Sequence, residues 1–258
     1  MSTYVTANPT TGQTEREFPA LTDDEVAQLG ARSAAAFDQW RNTTAEERAA
    51  TLRRTAELYE KREDELAQAI TTEMGKPLRQ AAGEVALAGS IYRWYADHGP
   101  ELLEPETLDP QGAQESLVQK YPVGPLVGVM PWNYPYYQVA RFAAPNLLVG
   151  NTILLKHASI CAASSALMGE ILHEAGVPDD AYVNVYASSD QIADLIADPA
   201  IAGVSLTGSE KAGAAVAEVA AENLKKSVLE LGGSDPFIVL DTDDVARTAH
   251  IAASARLS

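Results

Sequence analysis

An α/β architecture, a mainly parallel sheet with helices on both faces, is what this sequence predicts, and two patterns carry the prediction. Residues 21–103 place apolar side chains at the three- and four-residue spacing of amphipathic helices. From Gly128 onward, short apolar runs alternate with amphipathic stretches in a βαβ rhythm. With 258 residues, 46% of them apolar, the chain can build one large core or two small ones.

Taken in order, helices are expected at 25–40, 45–59 and 63–74, with Thr22 and Thr44 as caps ahead of acidic first turns. Residues 104–112, rich in Pro, Glu, Asp and Gly, break the pattern. Residues 114–130 read as two strands around Pro122-Val123-Gly124-Pro125. The rhythm that follows predicts strands at 126–130, 152–156, 182–186, 203–206 and 227–231, with helices at 136–148, 162–175, 191–197 and 210–222 between them. Ligands of such sheets bind at the carboxyl ends of the strands, which makes the residues after each strand the candidates for chemistry.

Composition removes several classes of function. No run of about 18 uncharged apolar residues occurs, and the amino terminus lacks a basic start and an apolar signal core, so the expectation is a cytoplasmic protein without a membrane partner. A single cysteine and four scattered histidines offer neither a disulfide framework nor a metal-ligand pattern. A net charge of −17 argues against nucleic acid and anionic membranes.

Four strand ends carry polar or glycine-rich signatures: residues 130–135 (Met-Pro-Trp-Asn-Tyr-Pro), 155–159 (Leu-Lys-His-Ala-Ser), 206–213 (Leu-Thr-Gly-Ser-Glu-Lys-Ala-Gly) and 229–233 (Leu-Glu-Leu-Gly-Gly). In the third, a strand ends and a helix begins, so free N–H groups and the Ser209 hydroxyl can face a phosphate while Gly208 lets it come close. An ordinary serine cap fits the same residues. Asn133, bracketed by prolines and aromatics, is suited to donate to an oxyanion, and is equally a good turn residue. Glu230 at a strand end is expected to be partly buried, which would raise its pKa toward that of a general base; a loop glutamate is the alternative. Cys161, in a run of small residues, reads as a packed helix residue rather than a nucleophile.

In this order and spacing the four motifs closely resemble the aldehyde dehydrogenase superfamily, over the whole chain but only about half of a full-length member. The resemblance implies a Rossmann-like coenzyme-binding domain without the usual glycine fingerprint, formed by residues 1–103 and 123–233. It implies bridging, oligomerisation strands at 104–122 and an incomplete catalytic domain from 234 to 258, whose opening strand and helix the segment from Asp235 resembles. NADP or NAD is the implied cofactor, held by Met130, Pro131 and Trp132, by Lys156 and Ser159, by Gly208, Ser209 and Gly213, and by Leu231 and Gly232. Lys156 would meet the adenosine ribose, with a solvated lysine as the alternative. Ser159 stands where many NAD-preferring relatives have a glutamate that would repel a 2′-phosphate, which tilts the expectation toward NADP. His157 replaces the usual proline, and is expected as a surface histidine or as added charge near the 2′-phosphate.

By the same resemblance Asn133 is the oxyanion donor, Trp132 part of the channel wall and Glu230 the base that activates water. Arg141, within a segment similar to one in succinate-semialdehyde dehydrogenases, would pair with a substrate carboxylate, or else with an acid of the helix layer. The nucleophilic cysteine would lie beyond Ser258, so the chain by itself is expected not to oxidise aldehydes, and a small aldehyde would be the substrate of the completed enzyme, a homodimer or homotetramer. One half of a split enzyme and a nucleotide-binding remnant without catalysis both stay open.

Overall fold

The structure, a computed structural model, describes residues 4–109, 111–112 and 114–257. It opens on an antiparallel hairpin of β1 (Tyr4–Ala7) and β2 (Thr14–Phe18), which the sequence did not predict. Its local signal is weak because β2 is exposed except at Phe18. Distant contacts hold it instead: Tyr4 and Phe18 pack with Ala162 and Tyr186, and the Tyr4 hydroxyl donates to the Ala187 carbonyl at 2.8 Å.

Four helices follow: α1 (Asp23–Trp40), α2 (Ala45–Lys61), α3 (Glu63–Met74) and α4 (Leu78–Leu103). Thr22 and Thr44 cap the first two as expected, each in a reciprocal box with Glu25 or Glu47 that satisfies two amides ahead of the first intrahelical bonds. Gly75, at φ 73°, stops α3 in the left-handed region open to glycine. The strand expected at 114–121 shrinks to β4 (Leu117–Val118), which pairs antiparallel with β3 (Glu106–Thr107) in an exposed two-stranded ribbon.

The sheet then forms in sequence: β5 (Pro125–Met130), α5 (Pro135–Val149), β6 (Thr152–His157), α6 (Ala162–Ala175), β7 (Tyr182–Asn184), α7 (Ser189–Ala197), β8 (Gly203–Thr207), α8 (Glu210–Glu222) and β9 (Lys226–Glu230). All five strands are parallel, in the order β7-β6-β5-β8-β9. The chain therefore starts in the middle, winds outward through β6 and β7, and returns to the other side at β8. The crevice between the carboxyl ends of β5 and β8 is the topological switch point where such sheets bind ligands.

Alternation along the strands separates two cores. Met130, Ile153 and Leu155 face α2 to α6, whereas Val127, Leu154 and Val204 face α1, α7 and α8. Each fully buried aliphatic side chain contributes about 1.5–3 kcal/mol, so strands buried on both faces read as continuous apolar runs. After β9 the strand expected beyond Asp235 is absent: residues 231–244 contain no strand, and α9 (Val245–Leu257) buries none of its residues. Phe237, Ile238 and Leu240 are exposed, so nothing among the described residues supplies the neighbour that a strand here needs. No helix among the described residues is long and apolar enough to cross a membrane.

A buried carboxylate ties the hairpin to the sheet layer. Glu73, at the end of α3, accepts from the Thr6 hydroxyl (2.9 Å), the amides of Ala163 (2.5 Å) and Ser164 (3.0 Å), and the Ser164 hydroxyl (2.5 Å). It caps α6 from a different helix, and burial pushes its carboxyl upward against those donors. Glu73→Ala should cost about 3–4 kcal/mol in urea unfolding, because it leaves several buried donors unsatisfied. A loss under about 1 kcal/mol would show that water replaces the carboxylate there.

Candidate active site

At the end of β5 the chain turns through Pro131, Trp132, Asn133 and Tyr134, and Pro135 begins α5, where a missing N–H costs nothing. Trp132 and Asn133 are exposed at the rim of the crevice. Their turn is held from below by two residues that sequence reasoning missed. Lys76 Nζ donates to the Asn133 carbonyl (3.2 Å), lies 3.5 Å from the centroid of the Tyr134 ring, and pairs with Glu84 at 2.5 Å. The other oxygen of Glu84 accepts the amides of Tyr136 (2.9 Å) and Tyr137 (3.3 Å), capping α5. Burial pushes the Glu84 carboxyl upward, while Lys76 and the two amides pull it down. A signal for the pair existed in the sequence: Glu84 sits among Ala81, Val85 and Ala88 on the apolar stripe of α4, where a lone carboxylate must find partners.

Across the crevice, β8 ends at Thr207 and α8 starts behind Ser209. The Ser209 hydroxyl accepts from the Ala212 amide (3.2 Å), so it caps the helix, while the amides of Glu210 and Lys211 have no acceptor among the described residues. The Gly208 amide donates to the Glu230 carbonyl (3.0 Å) and joins the ends of β8 and β9. A Cβ at Gly208 would meet only Leu206, at 3.5 Å, whereas one at Gly213 would strike Leu231 at 2.5 Å. Gly213 thus makes room for Leu231 within the chain, and at Gly208 no internal contact demands glycine.

Between these two turns lies a cavity of about 490 Å³ whose wall includes Trp132, Asn133, Gln138, Arg141, Ser209 and Glu230, together with Pro131, Leu231 and Gly232. Glu230 departs from expectation. Its side chain is 55% exposed, because β9 is the edge strand and no described element covers its outer side; the partial burial expected for it is not found. Its carboxylate lies 3.4 Å from Arg141 Nη2, which also donates to the Thr207 hydroxyl (3.3 Å). Arg141 therefore has an acid partner within the site, through one long contact at a half-open surface where such pairs contribute little.

Along the same edge of the sheet, Met130 is buried beside β6, and Ser159 is exposed at the start of a 3-10 turn. Lys156 is half-buried, its ammonium 3.3 Å from the His157 carbonyl and 5.8 Å from the Tyr4 ring, and burial lowers its pKa. The reading of His157 as a surface group or an added charge is wrong. It is 2% exposed; its Nδ1 accepts the Ala158 amide (2.8 Å) and its Nε2 donates to the Pro135 carbonyl (3.2 Å), bonds that suit the neutral ring. It ties β6 to the start of α5, and burial lowers its pKa to about 4. Cys161 is fully buried, its Sγ 3.9 Å from the Trp132 carbonyl, with a thiol pushed far above its ordinary range by burial. It is packed rather than reactive.

Comparison with known proteins agrees with the motifs. The model of the aldehyde dehydrogenase family matches residues 2–258. A succinate-semialdehyde dehydrogenase [NADP(+)] of Deinococcus radiodurans is 54% identical over 99% of this chain and 53% of its own length. The succinate semialdehyde dehydrogenase [NAD(P)+] Sad of Escherichia coli is 40% identical over 98% of this chain and 54% of its own. Among solved structures, the succinic semialdehyde dehydrogenase of Streptococcus pyogenes in complex with NADP+ superposes with a TM-score of 0.90 at 40% identity, covering 93% of this chain and 53% of that one. The chain spans about half the length of the curated relatives it matches.

Two measurements check the supports of the site. Lys76→Met should destabilise by about 3–5 kcal/mol at pH 8, because it strands a buried carboxylate, and by less at pH 5, where Glu84 can take up a proton. An equal loss at both values would mean that the charge of Lys76 is irrelevant. For His157, the unfolded ring titrates near 6.5 and the folded one near 4, so the unfolded state binds the extra proton between them. Stability is therefore intact above pH 6.5 and falls toward pH 4, by up to about 3 kcal/mol. His157→Gln should flatten that part of the acid limb of the stability curve, and an unchanged limb would show that the ring protonates freely.

Proposed function

The chain belongs to the aldehyde dehydrogenase family, and on that premise we propose that it is the coenzyme-binding part of an NADP-accepting enzyme that oxidises succinate semialdehyde, or a similar small aldehyde, to the acid. The observation that carries the reading is the convergence of Asn133, Ser209, Arg141 and Glu230 on one cavity at the switch point of a parallel sheet. Residues 1–103 and 123–233 form this part; 104–122 bridge to a neighbouring subunit of a homo-oligomer, and 234–258 lead into the catalytic domain. The exposed Leu117 and Val118 of the ribbon support the bridging role.

The residues present fit a dinucleotide. Two unpaired amides and the Ser209 hydroxyl at the start of α8 suit its phosphates, with Gly208 open to close approach. Pro131, Trp132, Leu231 and Gly232 line the same crevice, Met130 ends the strand that leads into it, and Gly213 seats Leu231 there. Lys156 has one weak acceptor among the described residues and is available to ribose hydroxyls. Ser159 carries no charge to repel a 2′-phosphate, in keeping with the NADP named for the Deinococcus radiodurans relative.

When bound, the dinucleotide supplies the hydride acceptor. The Asn133 carboxamide donates to the oxyanion that forms as a thiolate adds to the aldehyde, and the Lys76–Glu84 pair keeps that turn in place. Glu230 takes the proton of the water that releases the acid, and Arg141 receives the distal carboxylate of the substrate. The thiolate comes from the remainder of the enzyme. A second reading, nucleotide binding without catalysis, is favoured by one observation: Cys161 is sealed from the cavity.

Joining residues 1–258 to the remaining half of the Deinococcus radiodurans relative tests both readings. The joined enzyme should oxidise succinate semialdehyde with NADP, and Glu230→Gln should lower turnover about 10²–10⁴-fold. Asn133→Ala should lower it about 10²–10³-fold with little change in KM. NADP binding without turnover would establish the second reading. Ser159→Glu should shift preference from NADP to NAD, and a parent chain that binds NAD far more tightly than NADP would sink the cofactor assignment.

A further inference from the structure

One buried polar side chain in the cavity wall has no partner among the described residues. Gln138, on α5, is 9% exposed, and its carboxamide makes no hydrogen bond with any described residue. The Oε1 atom is sealed from solvent, which leaves the amide nitrogen as the end facing the cavity. Buried carboxamides are normally paired, and packing alone gives no reason to keep an unpaired one where leucine or methionine would fit.

Arg141 stands one turn further along α5, on the same face of the helix. Only its Nη2 is engaged, at 3.3 Å and 3.4 Å, while Nε and Nη1 have no acceptor among the described residues. Two neighbouring side chains thus present N–H donors to one space. The anion in reach, Glu230, touches only the far end of the guanidinium. Unused donors from a guanidinium and an amide on one helix face match the two oxygens of a carboxylate. A cavity of about 490 Å³ has room for a four-carbon chain that places a carboxylate here and its other end near Asn133.

We infer that Gln138 is a specificity-determining residue that binds the substrate's distal carboxylate together with Arg141. The inference rests on the reading of this cavity as an aldehyde site and adds a second recognition point to it. A substrate that ends in a methyl group would leave the Gln138 amide unpaired, so the residue selects for carboxylate-bearing aldehydes over plain alkyl ones.

Calorimetry on the full chain, with succinate as the carboxylate probe and NADP as a separate ligand, tests it. Gln138→Met should weaken succinate binding about tenfold or more, leave NADP binding unchanged, and keep or raise Tm, since it removes an unpartnered buried amide. Arg141→Met should weaken succinate binding as well. Succinate binding that is unaltered in Gln138→Met but lost in Arg141→Met overturns the inference and leaves the aldehyde-site reading standing. A parent chain that binds NADP but not succinate at millimolar concentration also overturns it. So does a Gln138→Met variant with a lowered Tm, because the amide would then be a structural group.

Discussion

The amino end of α5 is buried against α4, and its first amides have no carbonyl within their own helix to bond to. Glu84 supplies the acceptor, Lys76 balances the charge that Glu84 brings into the interior, and the same ammonium then reaches the Asn133 carbonyl. One buried pair thereby fixes the start of a sheet helix, the turn after the central strand and the place from which the Asn133 side chain projects. Glu73 does the equivalent at α6, and His157 links β6 to the start of α5 from the sheet side. The rim of the site is thus held by polar groups that are costly to bury and more costly to leave unpaired.

The two flanks of the site are built differently. On the β5 side every polar support is sealed, so the Asn133 turn has little freedom. On the β9 side Glu230 and Arg141 meet at an open edge through one long contact, and the chain beyond exposes Leu231, Phe237, Ile238 and Leu240. The base role proposed for Glu230 and the substrate pairing proposed for Arg141 are better served by such an edge than by a tight buried pair. Glu230 is accordingly open to solvent on its outer side, whereas the turn that carries Asn133 is held by buried described residues.

Much of the fold was legible in the sequence. Helical periodicity marked α1 to α3, Thr22 and Thr44 announced their caps, and the βαβ rhythm marked all five sheet strands to within a few residues. Periodicity failed where tertiary contacts override it: the β1–β2 hairpin exists because Tyr4 and Phe18 find Ala162 and Tyr186, and the strand expected after Asp235 lacks a neighbour to pair with. Among the site residues, the strand-end motifs pointed to Asn133, Ser209 and Glu230, and the family resemblance of the following helix segment pointed to Arg141. Lys76 and Glu84 were missed: the apolar stripe of α4 marks Glu84 as a carboxylate in need of partners, but its partner and the turn the pair holds follow from a contact between helices and a distant turn.

The sequence by itself determined the class of fold, the polar strand ends and the resemblance to one family, since these follow from spacing and local chemistry that no packing can change. Tertiary structure decided the state of each group. It buried His157 and neutralised it, sealed Cys161 behind the Trp132 carbonyl, opened Glu230 to solvent, and brought Gln138 to a cavity without a partner. Burial and pairing set whether a side chain is charged, inert or available, and both depend on neighbours that lie far away along the chain.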